Sequence, residues 1–261
     1  MKQAFKGIGV VGAATLLEAI RNRILLVAVF FAVVLVGLSV SAASVSIGEH
    51  ERLIIDVGLA AASALGSIIA LSITVSSFAG EIRRRTAYPV LARPLPRWAF
   101  VLGKYVGTLV AMEIVVTIMV LATACMVWLF GEAVPGAVWS ALWLTWVEMA
   151  LVVSIALMFS TITVPALATT YTAGLVLAGN LAGDIYRLGE KLELEGNATG
   201  RALQWIYYLI PDLEKLSVRS QAANNMPVPP GFLWAGTAYG LSYAVVMLVI
   251  ATWVFSRRRY L

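Results

Sequence analysis

The chain has 261 residues, of which 61% are hydrophobic and 13% charged, and its formal net charge is +5. Soluble domains carry about 45–50% apolar and about 25% charged residues, so a single water-soluble core is excluded. A bilayer must take up the apolar surface, and the positive charge reads as basic residues marking cytoplasmic helix ends, with no nucleic-acid partner expected.

In chain order, residues 2–23 come first. Leu16, Leu17, Ile20 and Ile24 recur at helical spacing, with Glu18, Arg21 and Arg23 on other faces. This pattern predicts a short amphipathic helix along the cytoplasmic interface; the alternative is an N-terminal extension of the first span. Within it, Gly7-Ile-Gly-Val-Val-Gly12 spells a dinucleotide fingerprint. That fingerprint needs a preceding strand inside a βαβ unit, and the six residues before it leave no room for one. Gly103-Lys104 lacks the upstream glycine spacing and the following Ser or Thr of a Walker A loop. No cofactor is therefore expected in this chain.

A spanning helix needs roughly 20 apolar residues. Runs of that kind lie at about 24–45, 54–79, 105–130, 138–161, 164–182 and 233–255. The first is too long for a cleaved signal peptide. The second has polar residues at both ends, and the fifth is Thr-rich and contains Asn180. His50, between Glu49 and Glu51, is the only histidine, and no metal site is expected there. Cys125 is the only cysteine and cannot form an internal disulfide. The fold class is all-α: a polytopic integral membrane protein forming one transmembrane domain over 1–261, with six transmembrane helices.

Residues 183–232 form the one sizeable extramembrane segment. Ile185, Leu188 and Leu192 predict one short helix, and Leu203, Ile206, Tyr207 and Ile210 a second, with a break at Asn197–Gly200. Both are read as interfacial or re-entrant helices before the last span. Trp205, Tyr207, Tyr208 and Trp234 suit the headgroup zone. Glycines recur at four-residue spacing in the pairs Gly103/Gly107, Gly179/Gly183 and Gly236/Gly240, which suits close helix packing.

Charge sets the orientation. With both termini in the cytoplasm, 13 of the 19 basic residues fall inside, and five of the six outside lie in the long loop, which weighs less in this rule. Residues 81–104 are then cytoplasmic, with six basic residues and the apolar side chains Tyr88, Val90, Leu91 and Leu95 among them. A plain anchor explains the arginines. It does not explain the Pro-rich apolar interior, which suits a short element held by Pro94 and Pro96 and presented to a cytoplasmic partner.

The order Glu81, Thr86, Leu91-Ala-Arg93-Pro94, Pro96-Arg97, Leu102-Gly103-Lys104 resembles that of the ABC type-2 exporter permeases. The resemblance implies that this loop couples to a separate cytoplasmic ABC ATPase dimer that binds ATP and Mg. It implies a coupling role for Glu81, Thr86, Tyr88, Leu91, Arg93, Pro94 and Arg97, and a second permease copy. The N-terminal interfacial helix and the helices before the last span are also features of that family. Length and the long loop are similar to the NosY-like subgroup, which acts in nitrous oxide reductase maturation. The Arg83-Arg84-Arg85 triplet departs from many relatives and is read as a helix-end anchor, with partner choice as the alternative.

Two acids lie inside spans: Glu113 in the third and Glu148 in the fourth. A charge at mid-bilayer costs about 2.5–3.5 kcal/mol on insertion scales, and such groups face a bundle interior or a wet cavity. They mark a substrate or proton path, or an interhelical hydrogen bond. Thr117 and Thr145, about one turn away, make the same faces more polar. The expected function is a permease subunit of an ABC exporter in a bacterial inner membrane. The alternatives are a proton-coupled carrier or intramembrane enzyme using Glu113 and Glu148, and a mechanotransmitting scaffold for an extracytoplasmic partner at 183–232.

Overall fold

A computed structural model describes residues 2–21, 30, 31, 34, 50–83, 96–194 and 198–257. Helix α1 spans Lys2–Arg21, α2 His50–Arg83, α3 Arg97–Leu129, α4 Gly136–Ile162 and α5 Pro165–Asn180. Then come α6 at Ala182–Leu194, α7 at Ala198–Leu209, a 3-10 turn at Glu214–Leu216, α8 at Arg219–Ala223 and α9 at Pro230–Arg257. Among the described residues there is no strand.

Four segments are long and apolar enough to cross a membrane: Glu51–Phe78, Arg97–Leu129, Gly136–Ile162 and Pro230–Arg257. They correspond to the second, third, fourth and sixth expected spans. Most of the first expected span lies outside the described residues; residues 30, 31 and 34 are helical, and Phe31 is buried in the core. The fifth forms α5, which has 16 residues. At 1.5 Å per residue that is about 24 Å, short of the roughly 30 Å hydrocarbon core. The helix breaks at Leu181 and resumes at once in α6, where the Ile185 N–H donates to the Leu181 carbonyl at 2.9 Å.

Helix α3 starts at Arg97, eight residues before the apolar run that begins at Tyr105. Hydropathy marks where lipid begins, whereas a helix begins where its backbone can close hydrogen bonds. Pro96, with φ −64° and ψ 139°, caps the start, and the Ala99 N–H donates to its carbonyl at 2.9 Å. The expected 81–104 loop is thus shorter: 81–83 close α2, 97–104 open α3, and 84–95 lie outside the described residues. Gly131, at φ +84°, ends α3 in the left-handed region that glycine enters without steric cost. Pro135 and Pro165 start α4 and α5, where a missing N–H costs nothing.

Helix α4 is the centre of the bundle. Of its most apolar stretch 83% is buried in the bundle, against 22% for α9. It packs against α2, α3, α5, α8 and α9. Leu144, Met149, Leu151, Ile155 and Leu157 are fully buried along it. In lipid the gain comes from close van der Waals contact more than from removing water, so small residues decide where helices touch. Gly66 of α2 meets Val116 and Met149, while Gly236 and Gly240 of α9 receive Leu144 and Val147 of α4 and Leu216 of the outer turn.

Both expected helices of the outer segment are present as α6 and α7, and Gly189 packs against Gly200 and Leu203 between them. The 3-10 turn and α8 were not anticipated. They bury Leu213, Leu216, Val218 and Ala222 against the core. Trp205, Tyr208 and Trp234 stay exposed, as headgroup-zone residues do, whereas Tyr207 turns inward to Asp212.

Candidate functional site

Four helices converge at the end of the bundle that the charge rule assigns to the cytoplasm. Phe78 near the end of α2, Phe100 at the start of α3 and Phe255 at the end of α9 are all fully buried. Their ring centroids are 5.5 to 5.9 Å apart. Aromatic pairs at this spacing add about 0.5–1.5 kcal/mol each beyond area burial. The guanidinium of Arg97 donates to the Ser256 carbonyl at 2.9 Å, tying the α3 start to the α9 end.

Helix α1 lies across the start of α3. Its small face carries Val11, Gly12, Thr15 and Ala19 and is buried, while Leu17 and Ile20 remain exposed. A Cβ at Gly107 would strike the Gly12 carbonyl and Thr15, and one at Gly103 would press on Val11. The apparent dinucleotide fingerprint is therefore helical, and its last glycine serves backbone approach. Beside this contact Lys104 Nζ lies 3.6 Å from Glu18 Oε2, with the lysine side chain 5% and the glutamate 42% exposed. A buried ammonium needs such compensation, since removing a partner leaves an expensive charge behind.

Of the residues expected to couple, Arg97 is the one whose side chain is described. Glu81 lies in the last turn of α2, where only its backbone is described. Thr86, Tyr88, Leu91, Arg93 and Pro94 lie outside the described residues. Phe78, Phe100 and Phe255 were not picked out from the sequence, and Glu18 was read only as part of the polar face of α1. No local signal marks them, because each is defined by a neighbour far along the chain.

The two intramembrane acids are not brought together. Glu148 is buried, 4% exposed. Ser63 of α2 donates its hydroxyl to both carboxylate oxygens, at 2.8 and 3.0 Å. Ser67, one turn on, sits near the same carboxylate outside hydrogen-bonding geometry, and its buried hydroxyl has no hydrogen-bond partner among the described residues. The expected helper Thr145 donates instead to the Ala141 carbonyl at 2.8 Å. Glu148 lines a cavity of about 250 Å³ between α2, α4, α5 and the outer turn, with Asn180, Ser217 and Arg219 also on its wall.

Glu113 lines a different cavity, about 370 Å³, between α3, α4 and α9, walled mostly by Trp143, Trp146, Leu241 and Val245. Thr117 does not serve its carboxylate: its hydroxyl donates to the Glu113 backbone carbonyl at 2.6 Å and accepts from Trp146 Nε1 at 3.1 Å. A one-site pairing of the two acids is thus not built.

The opposite end of the bundle is held by polar contacts. The Asp212 carboxylate accepts from the Tyr207 hydroxyl at 3.0 Å and from the Glu214 N–H at 3.1 Å, and pairs with Lys215 at 3.5 Å. The Asp212 N–H donates to the Tyr239 hydroxyl at 2.7 Å. Lys215 donates to the Tyr207 hydroxyl at 2.9 Å, and this bond, above the opposing effect of burial, raises the ammonium pKa. Arg219 of α8 pairs with Asp56 of α2 at 3.0 Å.

No curated protein matches the chain significantly. A family profile described as ABC-2 family transporter protein matches residues 15–259, which takes in nearly all of the helical bundle. The match is to the family as a whole and does not distinguish the NosY-like subgroup. An all-α membrane bundle with this near-complete match belongs to the ABC-2 family of transporter membrane proteins.

Proposed function

We infer that this chain is the permease half of an ABC exporter in a bacterial inner membrane, with both termini in the cytoplasm. A separate dimer of cytoplasmic ATPase subunits binds ATP and Mg, and a second copy of the permease completes the path. ATP-driven closure of the ATPases is felt through the segment between α2 and α3, by way of Glu81, Thr86, Tyr88, Leu91, Arg93, Pro94 and Arg97. One observation carries this reading: the end of α2, the start of α3 and the end of α9 meet in one aromatic cluster. A push delivered to the α2–α3 connection is then shared by three helices at once. Coupling of this kind needs contacts that differ between the inward- and outward-facing states, and a movable partner on that segment supplies them.

The test is to co-purify the chain with the ATPase encoded beside it and to combine Leu91→Ala with Arg93→Ala. Loss of assembly or of ATPase stimulation is expected, with the fold retained by gel filtration; unchanged assembly and stimulation would sink the coupling assignment. The two-acid carrier or enzyme is disfavoured because Glu113 and Glu148 line separate cavities. A mechanotransmitting scaffold is tested by replacing the outer segment, residues 183–232, with a short linker. Retained transport in that variant removes the scaffold reading.

A further inference from the structure

The cavity above Glu148 is an acceptor-rich chamber. Glu148 lies twelve residues from the start of α4, about 18 Å at 1.5 Å per residue, and so near the middle of a roughly 30 Å hydrocarbon layer. An ionised carboxylate at that depth is costly unless its charge is met. Among the described residues no lysine or arginine pairs with it. A carboxylate offers about four lone-pair positions, and the one hydroxyl proton of Ser63 is shared between its two oxygens. Ser67 lies close to the same carboxylate, and Glu148 lines the cavity with the acceptor capacity that these neighbours leave.

The rest of the wall carries both acceptors and donors, with Asn180, Ser217 and Arg219 supplying N–H and O–H groups near its outer side. Thr145 has spent its proton on the Ala141 carbonyl. Asn180 donates one amide N–H to the Val176 carbonyl at 2.9 Å, which leaves its amide oxygen and its second N–H. Leu59, Leu177 and Leu213 supply apolar surface between these groups. At the outer mouth Arg219, which also lines the cavity, pairs through its Nε with Asp56.

We propose that this cavity is a binding site for a small organic ammonium ion, entered from the outer side, with its ammonium group on the Glu148 carboxylate and its hydrocarbon body against the leucines. A primary ammonium brings three N–H donors and a compact charge, which match one carboxylate and nearby oxygens. A bare metal ion fits less well, because calcium wants six to eight oxygens and no cluster of three or more acid, histidine or cysteine ligands exists among the described residues. The volume is below the roughly 300–1,000 Å³ of pockets for drug-sized ligands, so the ligand is small.

The test uses the full chain alone in lipid nanodiscs, without any ATPase, so its outcome does not depend on the exporter reading. Binding of radiolabelled phenethylammonium is measured by equilibrium dialysis against empty nanodiscs, with neutral 2-phenylethanol as the uncharged comparison. Saturable binding is expected for the cation and not for the alcohol. Glu148→Gln keeps the shape and the Ser63 contact and weakens binding by at least about tenfold, while Glu113→Gln, in the separate cavity, leaves it unchanged. Ala64→Phe, which fills the chamber from an apolar wall, also removes binding and serves if Glu148→Gln fails to insert. Equal uptake of the alcohol overturns the proposal, as does wild-type binding by folded Glu148→Gln or Ala64→Phe. So does an absence of saturable binding, which would leave Glu148 as a protonated structural group or a site for a proton or sodium ion only.

Discussion

Backbones approach closely through glycine at both ends of this bundle, Gly179 and Gly200 included, but the side chains that hold the two ends differ. At the end where α1 crosses the start of α3, backbones touch through Gly12, Gly103 and Gly107, and three phenylalanines lock α2, α3 and α9. At the outer end, carboxylates, tyrosines and a lysine hold short helices over a chamber. Close packing is unforgiving, because one added carbon has nowhere to go. A polar network tolerates shifts, since exposed side chains can swing into water. The difference suits a stiff end that passes on displacement and an adaptable end that admits a ligand.

The sharpest test sets one glycine against another. Gly107→Leu forces a side chain into the Gly12 backbone, and is expected to cost on the order of 3 kcal/mol through overpacking. Gly183→Ala meets only the carboxylate end of Glu214, whose side chain is 52% exposed and can move aside, and is expected to stay within about 0.5 kcal/mol. Unfolding in mixed micelles measures both, and similar costs would break the contrast between the ends.

Next in size is Asp212→Ala, which removes an acceptor for Tyr207 and for the Glu214 N–H and the partner of Lys215. A loss of about 2 kcal/mol is expected, confined to the outer helices. Hydrogen exchange should rise over residues 198–226 and not at the α1–α3 contact; a rise at both ends would mean that the outer network supports the whole bundle.

Smaller again is Glu18→Gln, about 1 kcal/mol, because the half-exposed glutamate is partly screened even though Lys104 is buried. The expected signature is protease access to α1, with outer-end exchange unchanged. The smallest effect is at Lys215. Its ammonium pKa is raised from the usual 10.5 by the Tyr207 hydroxyl, so this stabilisation is complete below about pH 10.5 and fades as the pH rises through the higher folded value. Exchange in the outer helices should increase above that point in the wild type, by more than in Lys215→Met; an equal increase in both would remove Lys215 as the cause.

Much of the architecture was legible in the residues. Apolar runs located four long helices to within eight residues of their ends, and apolar residues at helical spacing found α6 and α7. The 16-residue α5 was harder, because Thr169, Thr170 and Thr172 within it and Asn180 at its end blur where a helix stops and an interfacial one begins. The 3-10 turn and α8 were missed: their buried Leu213, Leu216 and Val218 are too few to show a period. Both acids were visible as polar points in apolar runs. Their partners were not, since Ser63 lies 85 residues from Glu148 and the nearby threonines turned to their own helix backbones.

Taken alone, the amino-acid order determined that the chain is a membrane bundle and which end bears the positive charge. Those properties follow from how residues partition between water and lipid, and partition is a local matter. Which face of a span meets another helix was settled by the tertiary structure. A helix that is apolar all round has no amphipathic period to announce its contact face, and lipid tails are as apolar as leucine. Only packing therefore separated Glu148 from Glu113, and set Gly107 against a backbone and Gly183 against a side chain that can move.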